Sequence, residues 1–223
     1  MTAESTTGTL PDPAAPFAVV VDVPGGQAAR AAYARLLRGR ALVLELTDPA
    51  ETADPAARAQ ARRAQEVAMR AIGMQCVRLA ASAAGAPDAT RFHAYVADAA
   101  ELWLPAAIID DARTRTACAG VAEAALATGT RMVLYMSLAE AQRRFSSAHR
   151  ESVLSEFDQV LKDRLGEGST AARLIRIQPS ALATKQSMVA AHDPASANDI
   201  DDELSFELSG PAATALLAGP RAR

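Results

Sequence analysis

The 223-residue chain contains few aromatic residues and few residues that could bind a metal ion. Phe, Trp and Tyr make up only 4% of it, whereas half of its residues are apolar, and this mix favours helices packed on a sheet over an all-β sandwich. The two cysteines (Cys76 and Cys118) and the three histidines are scattered, so no spacing predicts a metal site. Two isolated cysteines are typical of a reducing compartment, and we predict a cytoplasmic protein.

A surplus of positive charge and a long apolar run are also missing. The chain has 23 basic and 26 acidic residues, a formal net charge of −3, which argues against nucleic acid or an anionic membrane surface as its main partner. No apolar run approaches the roughly 20 residues that span a bilayer, and the first residues lack the pattern of a signal peptide. We therefore predict neither a nucleic-acid nor a membrane partner.

Apolar runs alternate with helical segments along most of the chain, and six of these runs predict strands. They are PFAVVVDV, ALVLEL, MQCVRLAAS, RFHAYVADA, RMVLYMS and AARLIRIQP. Continuous apolar strands separated by helices are typical of a parallel sheet that is covered on both faces. We therefore predict an α/β fold with a single, doubly wound, Rossmann-like parallel sheet.

The length of the chain allows one such domain and is too short for two comfortable ones. Residues 1–16 are rich in Ser, Thr, Pro and Ala and predict a disordered tail. Residues 17–219 are predicted to form the domain. Within it, residues 185–203 turn polar and acidic and predict a flexible excursion.

Three segments carry a family resemblance. GTRMVLYMS ends in Ser137, RLIRIQPSALAT contains Pro179, Ser180 and Thr184, and FHAYVADAAEL contains Asp98. On these segments the chain resembles the short-chain dehydrogenase/reductase (SDR) superfamily, as a degenerate member with a truncated C-terminal end. The resemblance is closest to the N-terminal nucleotide-fold domain of actinobacterial high-molecular-weight FabG-type 3-oxoacyl-carrier-protein reductases. It implies that Ser137 is the counterpart of the catalytic Ser at the end of the fifth strand.

The catalytic Tyr and Lys of that family are missing. Reductase chemistry uses a Tyr that passes a proton to the substrate carbonyl, and a Lys one helical turn away lowers the pKa of that Tyr. The helix predicted over residues 144–165 offers Ser147 and Glu151 at these positions, and a shift of two residues offers Phe145 and His149. No Tyr of the chain is followed by Lys at this spacing. We therefore predict no catalytic residue of the reductase type.

The phosphate-binding loop of the family is incomplete as well. Phosphates bind where glycines let the backbone close around them at a helix N-terminus, but the family's three glycines fall on Asp22, Gly26 and Ala28. A tight turn without a ligand is the preferred interpretation, and no resident cofactor is predicted. NAD(P) stays open as an alternative, in which case the candidate binding residues are Gly25, Gly26, Asp98 and Ser137. Ser137 is alternatively a plain strand end, and Asp98 a capping residue.

These observations together predict a non-catalytic SDR-like protein that assists or regulates a FabG-type ketoreductase in fatty-acid or polyketide metabolism. The helices predicted over 106–127 and 144–165 correspond to the dimer interface of the family, so a homo-oligomer or a hetero-oligomer with an SDR reductase is expected. The alternative is an NAD(P)-dependent oxidoreductase, or another enzyme or ligand-binding protein, that acts on an acyl or polyketide molecule. Its crevice would be lined by Gly26, Asp98, Ser137 and Ser180.

Overall fold

The structure of the chain is a computed structural model. The structure describes residues 4–5, 16–23, 28, 31–37, 39–47, 56, 59, 63, 66, 69, 74–80, 89–145, 150–166, 170–176, 179–192 and 202–218. All structural statements below concern these residues. Within them, no helix is both long enough and apolar enough to cross a membrane.

The strands of the described part form one sheet in the order β1-β7-β8-β6-β5-β2-β3-β4. Their bounds are β1 Glu4–Ser5, β2 Ala18–Asp22, β3 Ala41–Thr47, β4 Gln75–Ala80, β5 Glu101–Pro105, β6 Arg131–Ser137, β7 Thr170–Arg176 and β8 Glu203–Leu208. Neighbouring strands run parallel except β8, which pairs antiparallel with both β6 and β7. The predicted α/β fold with a single sheet is confirmed, but the prediction that the sheet is parallel throughout is wrong.

Helices connect most of these strands. They are α1 Tyr33–Leu37, α2 Ala89–Val96, a 3₁₀ helix Ala106–Ile109, α3 Ala112–Thr128, α4 Leu138–Phe145, α5 Arg150–Leu165, α6 Pro179–His192 and α7 Gly210–Ala218. The helix predicted from residue 106 is interrupted before α3, because the Asp111 carboxylate accepts hydrogen bonds from the backbone N–H groups of Arg113 and Thr114 and so starts a new helix. The same helix ends at Gly129, whose φ of 71° is left-handed.

The fourth predicted strand, RFHAYVADA, is wrong because its residues up to Val96 belong to α2 and the rest form the turn after it. Phe92 and Val96 are the buried residues of this helix and stand four positions apart, which is helical spacing. The strand in this part of the chain is β5, ELWLP, and all five of its residues are buried. The sequence pattern thus placed the strand in RFHAYVADA, whereas the apolar run directly after it, ELWLP, forms the strand.

The sheet has two covered faces with different contents. Alternate residues of β2 and β5, such as Val19, Val21 and Leu104, point to what we call the first face, which packs against α2, α3, α4, α5 and α7. The remaining residues, such as Val20 and Trp103, point to the second face, which packs against α1 and its preceding residues and Met69. This doubly covered arrangement agrees with the continuous apolar strands in the sequence.

The predicted helix over 144–165 is divided between α4 and α5, and its apolar surface is covered within the chain. Val153, Phe157 and Leu161 are fully buried in the first-face core, and Leu154 and Leu165 are also buried. Val160 is half-buried and packs against the same core. Because this surface packs within the chain, it gives no support to self-association, which stays a prediction.

The predicted excursion over 185–203 is wrong at both ends. Residues 185–192 continue α6, and residue 203 begins β8. Lys185 and Glu203 are 0% and 1% exposed. Residues 193–201 lie outside the described residues. Two residues of the predicted disordered tail, Glu4 and Ser5, pair with β7 as the short strand β1.

Candidate functional site

The order in which the chain adds strands to the sheet reverses between β2 and β5, and the carboxyl ends of these two strands lie side by side. From β2 the chain proceeds outward to β3 and β4, and it then returns to β5 on the other side of β2. In open α/β sheets, ligands bind in the crevice that such a switch leaves outside the carboxyl ends of the strands. The geometry therefore makes this edge the first candidate for a functional site.

Asp22 is the last residue of β2 and lies at this switch. Its carboxylate is buried, with 1% of the residue exposed, and its Oδ1 accepts a hydrogen bond from the backbone N–H of Ala28 at 3.2 Å. A buried carboxylate is costly unless it is partnered, and this bond also ties the end of β2 to the residues before α1. Asp22 is thus a partnered, buried acid at the candidate crevice.

β6 contributes two further polar side chains to the same edge. The Tyr135 hydroxyl donates to the backbone oxygen of Val21 at 2.5 Å. Complete burial raises the pKa of Tyr135 well above its ordinary value, and the charge of Asp22 acts in the same direction. Ser137 is fully buried, and its Oγ accepts from the backbone N–H of Glu140 at 3.1 Å. Tyr135 therefore stays a neutral donor that supports β2, and Ser137 serves to start α4.

Beyond β6, the same edge holds a buried ion pair. The register places Glu203 of β8 opposite Ser137, and the Glu203 Oε1 lies 2.8 Å from the Lys185 Nζ of α6. The two carboxylate oxygens also accept from the backbone N–H groups of Tyr33 and Ala34, at 2.9 and 3.0 Å. One carboxylate thereby connects β8, α6 and the start of α1.

The amino edge of the sheet is closed by a second ionic network. Glu101 accepts from the Nε of Arg35 and from the Nε1 of Trp103, both at 2.9 Å, and it also pairs with Arg131. Burial works against the charged form of Glu101, but the hydrogen bonds from Trp103 and Arg35 prevail and lower its pKa below the ordinary 4.5. The charged groups of this edge are paired with one another, so we interpret this network as structural.

The predicted site residues do not come together. Asp98 is exposed in the turn after α2, three residues before the amino end of β5, because the strand predicted to carry it is a helix. Ser137 lies at the opposite, carboxyl end of β6, and a strand of this length separates the two edges by roughly 20 Å. Gly25 and Gly26 lie outside the described residues. Ser180 falls in the first turn of α6.

Sequence reasoning missed Lys185 and Glu203 and considered Asp22 only as an obstacle to phosphate binding. A signal was present for Lys185, one of only two lysines in the chain. Val189 follows it one helical turn later and is also buried, which is the spacing of a covered helix face. Glu203 offered a weaker signal, since acidic residues precede it and obscure the start of a strand.

The described residues contain no group of three or more His, Cys, Asp or Glu side chains that could hold a metal ion. His93, for example, is exposed on α2. The absence of a metal site and of a resident cofactor stays a prediction.

Comparison with solved structures shows a similarity to deacetylases. One is a triple mutant of a deacetylase involved in the teicoplanin biosynthetic pathway, with 13% sequence identity, a TM-score of 0.56, and coverage of 86% of this chain and 98% of that one. Another is the A40926 pseudoaglycone deacetylase Dbv21, with 14% identity, a TM-score of 0.53, and coverage of 86% and 97%. No protein-family model and no curated protein sequence matches the chain. At these identities the similarity concerns the fold.

These comparisons correct the family resemblance. The similar structures are deacetylases, so the assignment to the SDR superfamily, and with it the likeness to a FabG-type reductase domain, is wrong. The predicted role as a non-catalytic assistant of a FabG-type ketoreductase is wrong for the same reason. The order of strands and helices that suggested it is shared by many doubly wound sheets, whereas the antiparallel β8 between β6 and β7 was not foreseen.

Proposed function

We propose that this protein is an enzyme that removes an acyl group from an amide nitrogen of a small molecule in a biosynthetic pathway. The observation that carries the proposal is the extent of the fold similarity, which covers 98% and 97% of the two deacetylases. Fold alone does not determine function, and the transfer to this chain is an analogy. It agrees with the alternative expectation of an enzyme that acts on an acylated molecule.

The substrate would occupy the crevice at the carboxyl ends of β2 and β5. Hydrolysis of an amide requires a group that accepts a proton from the attacking water and one that returns it to the leaving nitrogen. Asp22 offers a buried carboxylate at this place. The two acids that follow β5 have other roles, because Asp110 pairs with Arg144 and Asp111 caps α3. Asp22 is therefore our candidate for the proton-transferring group.

Burial gives Asp22 an advantage in this role. Charged groups interact more strongly with a reacting atom in a water-poor environment than in bulk water. The backbone N–H of Ala28 and the neutral hydroxyl of Tyr135, which holds the Val21 carbonyl, fix the end of β2 beneath it. A fixed acid loses little energy in reorganisation when charge develops during the reaction.

The test is a substrate panel for the full-length protein. It contains N-acetylglucosamine, N-acetylated amino acids and a glycopeptide pseudoaglycone with an N-acylated amino sugar, and mass spectrometry follows the free acid and the free amine. We expect the release of the acyl group from at least one amide. Failure to release an acyl group from any amide of the panel would contradict the proposal.

A further inference from the structure

We infer that Lys185 and Glu203 are positioning residues for the start of α1. Through the hydrogen bond between Ala32 and Ala28, they thereby hold the backbone N–H group from which the Asp22 carboxylate accepts. The inference rests on the proposed function only for its consequence in catalysis. Its structural part concerns the amides of Tyr33 and Ala34 and can be tested without a substrate.

The first step is that two carboxylates hold backbone N–H groups on either side of Ala32. Asp22 accepts from the N–H of Ala28, and Glu203 accepts from the N–H groups of Tyr33 and Ala34. Asp22 belongs to β2 and Glu203 to β8, which lie on either side of β5 and β6 in the sheet. Ala28 and the start of α1 are thus held by side chains of two separate strands.

The second step concerns the helical hydrogen bonds around Ala32. The N–H of Ala32 donates to the oxygen of Ala28 at 2.9 Å, and the N–H of Leu36 donates to the oxygen of Ala32 at 3.1 Å. Between these bonds, the N–H groups of Tyr33 and Ala34 donate to the Glu203 side chain. A side chain that inserts into a helical ladder in this way produces a defined bend. Glu203 therefore defines the bend at Ala32, just before α1 begins.

The third step concerns energy. A buried ion pair is no more stable than well-packed apolar side chains of the same volume, because both charges must lose their water. An apolar side chain, however, could not accept hydrogen bonds from two backbone N–H groups. The two backbone N–H donors thus account for the buried carboxylate of Glu203. The charge of that carboxylate accounts in turn for the buried ammonium group of Lys185. The desolvation of these two charges is therefore consistent with a role in holding the start of α1.

The test compares variants of this pair with variants of a surface pair. Glu203→Gln and Lys185→Met each leave one buried charge, and the double variant removes both charges while it keeps one amide oxygen as an acceptor. If a single variant fails to fold, the double variant carries the test. The control is Lys162→Met, because Lys162 pairs with Asp158 on the surface of α5 at 2.6 Å with a half-exposed side chain.

The first measurement is hydrogen exchange of the ligand-free protein, resolved by residue. We expect the double variant to exchange the amides of Tyr33 and Ala34 at least about tenfold faster than wild type, while α3 and β6 are unchanged. The control variant should leave both amides protected. Unchanged protection of these two amides, or an equal loss of protection over the whole chain, would overturn the inference.

The second measurement uses a substrate found in the panel. A misplacement of about 1 Å can cost up to about 10²-fold in rate, so we expect the double variant to lower kcat at least about tenfold with KM within about twofold. A kcat equal to that of wild type, together with faster exchange at Tyr33 and Ala34, would overturn the positioning role in catalysis. Failure to find any amide substrate would refute the proposed function, and the exchange experiment would still decide the structural part.

Discussion

The two faces of the sheet are built in different ways. The first face carries the larger apolar core, which includes Phe157, Phe206 and Cys118. The buried polar residues of α3 and the turn after it, Thr114 and Thr130, are uncharged. The buried charged residues of the described part all belong to the second face and the helices that cover it: Asp22, Arg35, Glu101, Lys185 and Glu203. Apolar burial stabilises in proportion to area and without direction, whereas buried ions stabilise only in a particular geometry. The first face is thus held together by apolar burial, whereas the second face also depends on paired buried charges.

The largest effect that tests this difference is expected on the first face. Phe157 is fully buried, and its ring lies 4.2 Å from that of Phe206, measured between ring centroids. Phe157→Ala should lower the free energy of unfolding by about 3–5 kcal/mol, because it leaves a cavity, and urea denaturation measures this. Val160→Ala, at a half-buried position on the same helix, should cost about 1 kcal/mol. Equal losses for the two variants would contradict the assignment of this face.

On the second face we expect an effect through charge. Glu101→Gln keeps the size of the side chain but removes the negative charge that pairs with Arg35, which is 2% exposed. Removing one member of a buried pair costs about 3 kcal/mol, again measured by urea denaturation. Asp158→Asn, which breaks the half-exposed pair with Lys162, should cost no more than about 0.5 kcal/mol. If Glu101→Gln also lowered the free energy of unfolding by less than about 0.5 kcal/mol, the ion pair between Glu101 and Arg35 would not have the buried geometry described.

A smaller change in the free energy of unfolding should appear when the pH is raised, because the Cys118 thiol is buried in the core of the first face. Burial raises the pKa of Cys118 from its ordinary 9.0 to about 12. The unfolded chain therefore releases this proton at a lower pH than the folded chain. The stability that the neutral thiol contributes is complete below pH 9 and declines from there towards pH 12.

Between pH 8 and pH 10, wild type should lose about 1.4 kcal/mol more in the free energy of unfolding than Cys118→Ala. Denaturation curves at the two pH values measure this difference. A wild type that shows the same change as the variant would mean that the thiol is accessible to water.

Much of the fold could be predicted from the sequence because apolar patterns report burial. The runs that became β2, β3 and β6 are continuous and strongly apolar, and their prediction is confirmed. The strand β8 was missed because in ELSFEL only Leu204, Phe206 and Leu208 face the first-face core, and this alternation follows an acidic stretch. Its antiparallel place between β6 and β7 depends on pairing between distant segments, which no local pattern reports.

The candidate site was far less predictable. Ser137 was correctly expected at the end of a strand, but the sequence could not show that its hydroxyl starts α4. Lys185 and Glu203 stand at the two ends of a stretch whose composition indicated flexibility, and only the fold reveals that they pair. Buried ions depend on three-dimensional partners, so an acidic or basic residue looks the same in the sequence whether it is solvated or buried.

The central claim is that Asp22 performs proton transfer in an amide-hydrolysing crevice at the carboxyl ends of β2 and β5. The most direct measurement is the rate of acyl release by wild type, Asp22→Asn and the surface control Asp158→Asn, with the best substrate of the panel. Loss of a proton-transferring group typically costs 10²–10⁴-fold. We therefore predict that Asp22→Asn lowers kcat by at least about 100-fold, while Asp158→Asn keeps the wild-type rate and both variants remain folded. Equal rates for wild type and a folded Asp22→Asn would contradict the claim.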